Sequence, residues 1–117
     1  MAKAGNRPTT LAAGSAAIGK IDHNISAIGD GRQTVTTAGT RVALASSTAA
    51  KIVIITAETD NTGVIVVGGS TVVAALATRR GTPLLAGDSV TLEVDDLADV
   101  NLDSTVSGDG VTYTYLT

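Results

Sequence analysis

Carboxylates are the largest group of residues that could carry chemistry in this chain. Two of them flanking a sugar bond are the machinery of glycoside hydrolysis. Acids at alternating strand positions are also typical of a solvated sheet face. Because the chain has no Trp and no Phe to form a sugar platform, the solvated face is the favoured interpretation. The candidate acids are Glu93, Asp95, Asp96, Asp99 and Asp103.

One short stretch, residues 99–103, resembles the start of a calcium-binding loop. Asp99, Asn101 and Asp103 occupy its first three ligand positions. The glycine expected at position 6 is Ser104, and the glutamate expected at position 12 is Gly110. Since the match fails at the most specific positions, we predict no metal site. A weak Ca²⁺ site between copies of the chain is the alternative.

Nucleophilic catalysis finds little support in the composition. The chain has no Cys and a single histidine, His23, in a segment unlike the rest of the protein. A nucleophile needs a base and an orienting group in fixed positions. The glycine pair at residues 68–69 is not followed by the Lys-Ser/Thr ending of a phosphate loop. We therefore predict a protein that is not an enzyme and needs no cofactor.

Four isoleucines near the start of the chain are spaced 3, 4 and 3 residues apart: Ile18, Ile21, Ile25 and Ile28. This spacing indicates one face of a helix. The helix would be marginal, because it is short and Gly19 weakens it. We predict that residues 1–30 form an extended or partly helical arm whose isoleucines contact another protein surface. The alternative is that residues 17–29 fold back on their own domain.

From Gly31 onward the hydrophobic pattern has the period of a strand. Short alternating runs are separated by turn residues every 8–12 positions, which is typical of a sandwich or barrel. We predict an all-β domain of about eight strands over residues 31–117. The continuous apolar run at 51–57 predicts a strand covered on both faces. Gly68-Gly69 predicts a tight hairpin into a strand over residues 70–76.

The last third of the chain has the clearest alternation. In residues 87–96 the apolar positions predict one inward face, and in 99–106 Val100 and Leu102 alternate with Asp99, Asn101 and Asp103. The closing run, residues 111–117, places its Val and both Tyr on one face. The inward residues of the first and last runs are Val90, Leu92, Val94, Val111, Tyr113 and Tyr115.

Charge is unevenly distributed along the chain. Residues 1–41 carry five basic and two acidic side chains, whereas residues 88–109 carry seven acids and no base. The net charge of −3 argues against nucleic-acid binding, which needs a basic surface. No apolar run approaches the length of a membrane helix, and no signal peptide is evident. Arg79 and Arg80 form a dibasic loop that could contact an acidic partner; a solvated surface is the alternative.

Residues 29–117 resemble small virion proteins of tailed bacteriophages. The motifs that carry this resemblance mark turns and strands and contain no catalytic signature. They are "TAGTRVALA", "NTGVIVVGG", "PLLAGDSVTLEVDDLADVNLD" and "GDGVTYTYL".

The resemblance implies a jelly-roll-like β-sandwich and a capsid decoration, or cement, protein. Such proteins form homotrimers on the assembled lattice of the major capsid protein and stabilise it. The expected location is the capsid surface of the virion, after synthesis in the host cytoplasm. Two alternatives remain open: a host- or glycan-binding module of the virion, and a neck or tail protein. The resemblance does not cover the arm.

Overall fold

The computed structural model describes residues 24–117, which form two antiparallel sheets of four strands each. Val, Ile and Thr dominate the strands because their branched side chains favour a pleated, half-buried surface. No helix among these residues is long and apolar enough to span a membrane. The strands are β1 (Ile28–Thr34), β2 (Val42–Ala43), β3 (Ile52–Ala57), β4 (Ile65–Gly68), β5 (Thr82–Leu84), β6 (Ser89–Glu93), β7 (Asn101–Ser104) and β8 (Gly110–Leu116).

The strand order is β1-β8-β3-β6 in the first sheet and β2-β7-β4-β5 in the second. The chain crosses between the sheets at nearly every connection, and only β4 and β5 are consecutive neighbours. Two 3₁₀ helices, Leu76–Thr78 and Leu97–Asp99, lie in the connections. The prediction of an all-β domain with about eight strands is confirmed.

Both sheets contribute to one hydrophobic core. Val53 and Ile55 of β3 lie in the same buried cluster as Ile65 of β4 and Leu102 of β7, and all four side chains are fully buried. The inner faces of the two sheets therefore pack on each other, as in a sandwich.

The prediction that residues 51–57 are covered on both faces is wrong for the described part of the chain. In β3 the buried side chains alternate with Ile52, which is half-buried, and Ile54, which is 40% exposed. The strand buried on both faces is β4: Ile65 and Val67 face the main core, and Val66 packs in a second cluster with Val72 and other residues.

The predicted hairpin at Gly68-Gly69 is also wrong. Residues 70–76 do not form a strand, and β4 pairs instead with β5, which follows later in the chain. The connection, residues 69–81, lies over the outer face of the second sheet. Its side chains Val72 and Ala74 are buried against Val66 of β4, so this loop supplies the second cover of β4.

Alternation in the last third is confirmed with one exception. Val90 and Leu92 face inward while Thr91 and Glu93 are exposed, and Val111, Tyr113 and Tyr115 pack against the core. The exception is Asp103, which is 2% exposed where a solvated position was predicted. The cause is the 69–81 connection, which covers the outer face of β7.

The start of the described chain is not helical. Residues 24–27 belong to no helix or strand, and Ile28 is the first residue of β1. The helix predicted from the isoleucine spacing therefore does not extend through Ile25 and Ile28, and the first strand begins before Gly31. Ile18, Ile21 and His23 lie outside the described residues.

Candidate interaction surface

The outer face of the first sheet carries a group of exposed aliphatic side chains. In the sheet register Ile28 lies opposite Leu116, and Leu116 lies opposite Ile52. Ile54, two residues further along β3, has its side chain on the same face because strand side chains alternate. We call Ile28, Ile52, Ile54 and Leu116 the aliphatic patch.

The aliphatic patch is open to solvent in the described chain. Ile28 is 71% exposed and Ile54 is 40% exposed, while Ile52 and Leu116 are half-buried. The outer face of the second sheet differs, because the 69–81 connection covers it. Clustered exposed apolar side chains, unlike scattered ones, mark interaction surfaces in soluble proteins.

Beyond the patch, the same sheet face is polar. Asp30 and Arg32 of β1 lie beside Thr112 and Thr114 of β8. The Arg32 guanidinium donates to both carboxylate oxygens of Glu58, and this contact raises the pKa of Arg32. The apolar surface is therefore confined to the end of the sheet where β1 begins.

Both tyrosines lie on the opposite, inner face. Tyr115 packs over Gly29 and Tyr113 packs over Gly31, where an added Cβ would overlap the rings. The ring centroids are 6.1 Å apart. Burial raises the pKa of Tyr113, and the neighbouring Tyr115 and Asp30 raise it further. These rings fill the space that two glycines leave on an edge strand.

The chain enters the described region at the margin of the aliphatic patch. The backbone N–H groups of Ser26 and Ala27 donate to the carbonyl of Thr117, and Thr117 N–H donates to the carbonyl of Ala27. At Asn24 the backbone has φ of +63°, a left-handed conformation that Asn adopts more readily than most residues. The Lys51 ammonium donates to the Asn24 carbonyl at 2.8 Å, which draws the chain toward the first residues of β3.

Several acids of the 88–109 region hold the backbone together. The Asp103 carboxylate accepts N–H bonds from Gly39, Ala74 and Ser104, at 2.8–3.0 Å. Asp109 is 6% exposed and accepts from the N–H groups of residues 62 and 63. These carboxylates satisfy backbone donors in loops, so their role is structural.

Asp96 has a comparable role at a helix start. It caps the 3₁₀ helix Leu97–Asp99 by accepting from the Ala98 N–H, and it also accepts from the Ser47 hydroxyl and the Thr48 N–H. The Ser47 contact and these two backbone bonds lower its pKa.

Three further acids of this region line a shallow cleft near Lys51. Glu93, Asp95 and Asp99 surround it together with Val94. Within residues 24–117 no three acidic, histidine or cysteine side chains are grouped so that they could hold a metal ion. Because Asp103 points into the loop contacts described above, it is not available to complete a calcium site with Asp99 and Asn101.

The two candidate arginines differ in their surroundings. The Arg79 side chain is half-buried and its Nε donates to the carbonyl of Ala74 at 2.9 Å, so it fastens the 69–81 connection. Arg80 is exposed, and its backbone forms an isolated bridge with Val73. Arg80 is therefore the more accessible of the two for a partner.

Sequence reasoning placed Ile28 in the interaction set but missed Ile52, Ile54 and Leu116. The available signal was the unbroken apolar run of β3, which is typical of a strand with two covered faces. The described chain covers only one of them. The second face of this run belongs to the aliphatic patch, which the described residues leave partly exposed.

Comparison of the chain with protein-family models, with curated proteins and with solved structures gives no match.

Proposed function

We propose that this protein is a structural component of a bacteriophage virion, a decoration protein that binds the assembled lattice of the major capsid protein and stabilises it. It acts as a homotrimer on the capsid surface and carries out no catalysis. The proposal rests on the resemblance of residues 29–117 to small phage virion proteins, together with the observations that follow.

The observation that carries most weight is the aliphatic patch, because its apolar side chains are neighbours on one sheet face. A small rigid sandwich whose core is complete, yet which exposes Ile28 and Ile54, is suited to assembly by burial of apolar surface. Burying one such side chain fully contributes roughly 1.5–3 kcal/mol. Because many copies of the protein bind one lattice, modest contacts of this kind together can stabilise the capsid.

The strand arrangement supports a jelly roll, the finer fold that we propose. Jelly rolls have eight strands in two sheets and occur in viral capsid domains. Here the first strand, β1, pairs with the last, β8, and the chain crosses repeatedly between two four-stranded sheets. Fold alone does not fix function, so this observation supports the proposal without deciding it.

A host- or glycan-binding module is the second candidate function, and the tyrosines weigh against it. Sugar recognition relies on exposed aromatic faces, and the chain's Tyr113 and Tyr115 pack over glycines on the inner face of the sheet. A neck or tail protein uses the same kind of domain and differs in its assembly, which would give rings of higher order than a trimer.

The test is co-sedimentation of the purified protein with capsids of the phage that encodes it. We expect binding to assembled capsids but not to free capsid subunits, and greater resistance of decorated capsids to heat and osmotic shock. Equal resistance with and without the protein would contradict the proposal. Binding to host cells or polysaccharide in a pull-down would favour the second candidate.

A double variant and a matched control test whether the N-terminal arm contributes to capsid binding. Ile18→Asp with Ile21→Asp is expected to abolish co-sedimentation while the circular dichroism of the sandwich is unchanged. Ile25 is left intact because it is half-buried in the described chain. The matched control is Leu85→Asp with Ala86→Asp, at an exposed turn at the opposite end of the sandwich; it should bind capsids normally.

A further inference from the structure

We infer that the aliphatic patch is the docking site for residues 17–23 of the same chain, with Ile18 and Ile21 covering Ile52 and Leu116. This inference deepens the proposed function, because it identifies the surface that the capsid lattice would contact at this end of the domain. Only that statement about the lattice rests on the proposed function. The lattice would then contact the outer side of the docked segment together with Ile28 and Ile54, the two patch residues that Ile18 and Ile21 leave exposed.

The unbroken apolar run of β3 supports docking of a further segment on the patch. Ile52 and Ile54 lie on the solvent side of a sheet whose other outward positions are mostly Thr, Ser or charged. Among the eight described strands, β4 has a comparable run, and there the 69–81 connection covers the second face. Apolar side chains on both faces of a strand are stable when both faces are buried. We therefore expect the second face of β3 to be buried by another segment, as the second face of β4 is.

The chain enters the described region close to the patch. Residue 24 lies four residues before Ile28, at the end of the sheet where the patch is. The segment that precedes it contains apolar side chains at Ile18 and Ile21. A tethered segment has an effective concentration in the millimolar range, which a separate copy at micromolar concentration does not match.

The backbone at Asn24 directs the preceding residues toward the patch. The residues that follow it run along Thr117 as a continuation of β1. The left-handed backbone of Asn24 is the conformation of a turn. The bond from Lys51 to the Asn24 carbonyl fixes this turn toward β3. Ile21 is three residues from Asn24, a span of about 10 Å when extended, which is enough to reach Ile52 beside Lys51.

The absence of cysteine from the sequence permits a direct test by disulfide trapping in the full-length free protein. The variant Ile21→Cys with Ile52→Cys is oxidised at low protein concentration and examined by non-reducing electrophoresis and mass spectrometry. A disulfide forms only when the two Cα atoms approach to roughly 4.4–6.8 Å. We expect rapid loss of free thiols with no species larger than the single chain.

The matched control is Ile21→Cys with Thr112→Cys. Thr112 is exposed on the same sheet face but lies four residues along β8 from Leu116, about 13 Å away. We expect it to cross-link roughly 10²-fold more slowly. Equal rates in the two variants would overturn the proposal, since they would show that residues 17–23 do not dock. Cross-links mainly between chains would overturn it in favour of exchange between copies.

A second readout avoids cysteine altogether. A chain beginning at Asn24 should bind the hydrophobic dye ANS more strongly than the full chain, and Ile52→Thr in the shortened chain should reverse the gain. Unchanged dye binding after shortening would contradict docking. Neither measurement involves capsids, so a failure of the docking proposal and a failure of the proposed decoration function are observed separately.

Discussion

At the scale of single residues, the acidic side chains show how composition can mislead. The sequence pattern of the acids in residues 88–109 favoured a solvated sheet face. In the structure Asp103, Asp109 and Asp96 accept backbone N–H bonds in loops. The local sequence pattern is the same for an aspartate that accepts hydrogen bonds from loops and for a solvated aspartate. Only the tertiary structure, which places the N–H donors, distinguishes the two.

Removing the Asp103 carboxylate should destabilise the protein strongly. Asp103→Ala leaves the N–H groups of Gly39, Ala74 and Ser104 without their acceptor. Each buried unsatisfied group costs about 1–3 kcal/mol, and we expect a total loss of about 3 kcal/mol after relaxation. Urea unfolding measures this loss as a change in the free energy of unfolding. Asp99→Ala, at an exposed position, is the control and should change stability by less than about 0.5 kcal/mol.

Asp96 should make stability depend on acid pH. Its folded pKa is lowered, chiefly by the Ser47 hydroxyl, so the folded state favours the carboxylate. The stabilisation is present above the unfolded pKa, about 3.9, and is lost as pH falls through the lower folded pKa. In urea titrations from pH 6 to pH 2, Asp96→Asn should lose less stability than the original chain. Parallel curves would contradict this.

Arg80 should contribute to capsid binding through charge. Its side chain is exposed, whereas Arg79 is fastened to Ala74. We expect Arg80→Glu to weaken co-sedimentation with capsids, and the binding of the original chain to weaken as salt rises, because exposed charge pairs are screened. Arg41→Glu, at another exposed base, is the matched control. Salt-independent binding would exclude this role.

At the scale of elements, the sequence predicts strands well where one face is solvated. β6 and β8 alternate as expected, because inward Val, Leu and Tyr are separated by polar residues. The prediction failed for the 69–81 connection. Its apolar residues have the composition of a strand, yet Val72 and Ala74 cover β4 from outside. The local hydrophobic pattern of a sequence indicates that a side chain is buried, but it does not indicate which part of the protein buries it.

The candidate surface was predictable only in part. Ile28 was selected for its helical spacing, but it is exposed because it lies on the outer face of β1. Its neighbours in the patch, Ile52 and Leu116, come from distant parts of the sequence, and the pairing of β1, β8 and β3 brings them together. A surface made by long-range strand pairing has no local signature.

Close packing of β8 against β1 gives a prediction for a glycine. A Cβ on Gly110 would lie 2.7 Å from the Gln33 carbonyl oxygen and 3.2 Å from Thr34 Cα, and backbone atoms cannot move aside cheaply. We expect Gly110→Ala to lower the unfolding free energy by about 2 kcal/mol, in the range of overpacking. Gly69→Ala, which meets nothing within 4 Å, should be tolerated. Equal thermal midpoints for the two variants would refute the argument.

At the scale of the whole molecule, oligomeric state is the decisive property. Light scattering of the full chain and of a chain beginning at Asn24 should give a trimer in both cases, with the subunit contacts in the sandwich. The shortened chain starts at Asn24 because Ser26 and Ala27 bond to Thr117. A monomer in both cases would contradict the trimer, and a trimer that dissociates on shortening would place its contacts in residues 1–23.

The place of β8 in the first sheet has a kinetic consequence. Among the eight strands β8 is synthesised last, yet it lies between β1 and β3. The first sheet therefore cannot close on the ribosome until β8 has emerged, and β1 and β3 wait without their common neighbour. Folding dominated by such distant pairings takes roughly milliseconds to seconds. During that interval the unpaired strand edges are exposed to other nascent chains, so the yield of folded protein should depend on the rate of its synthesis.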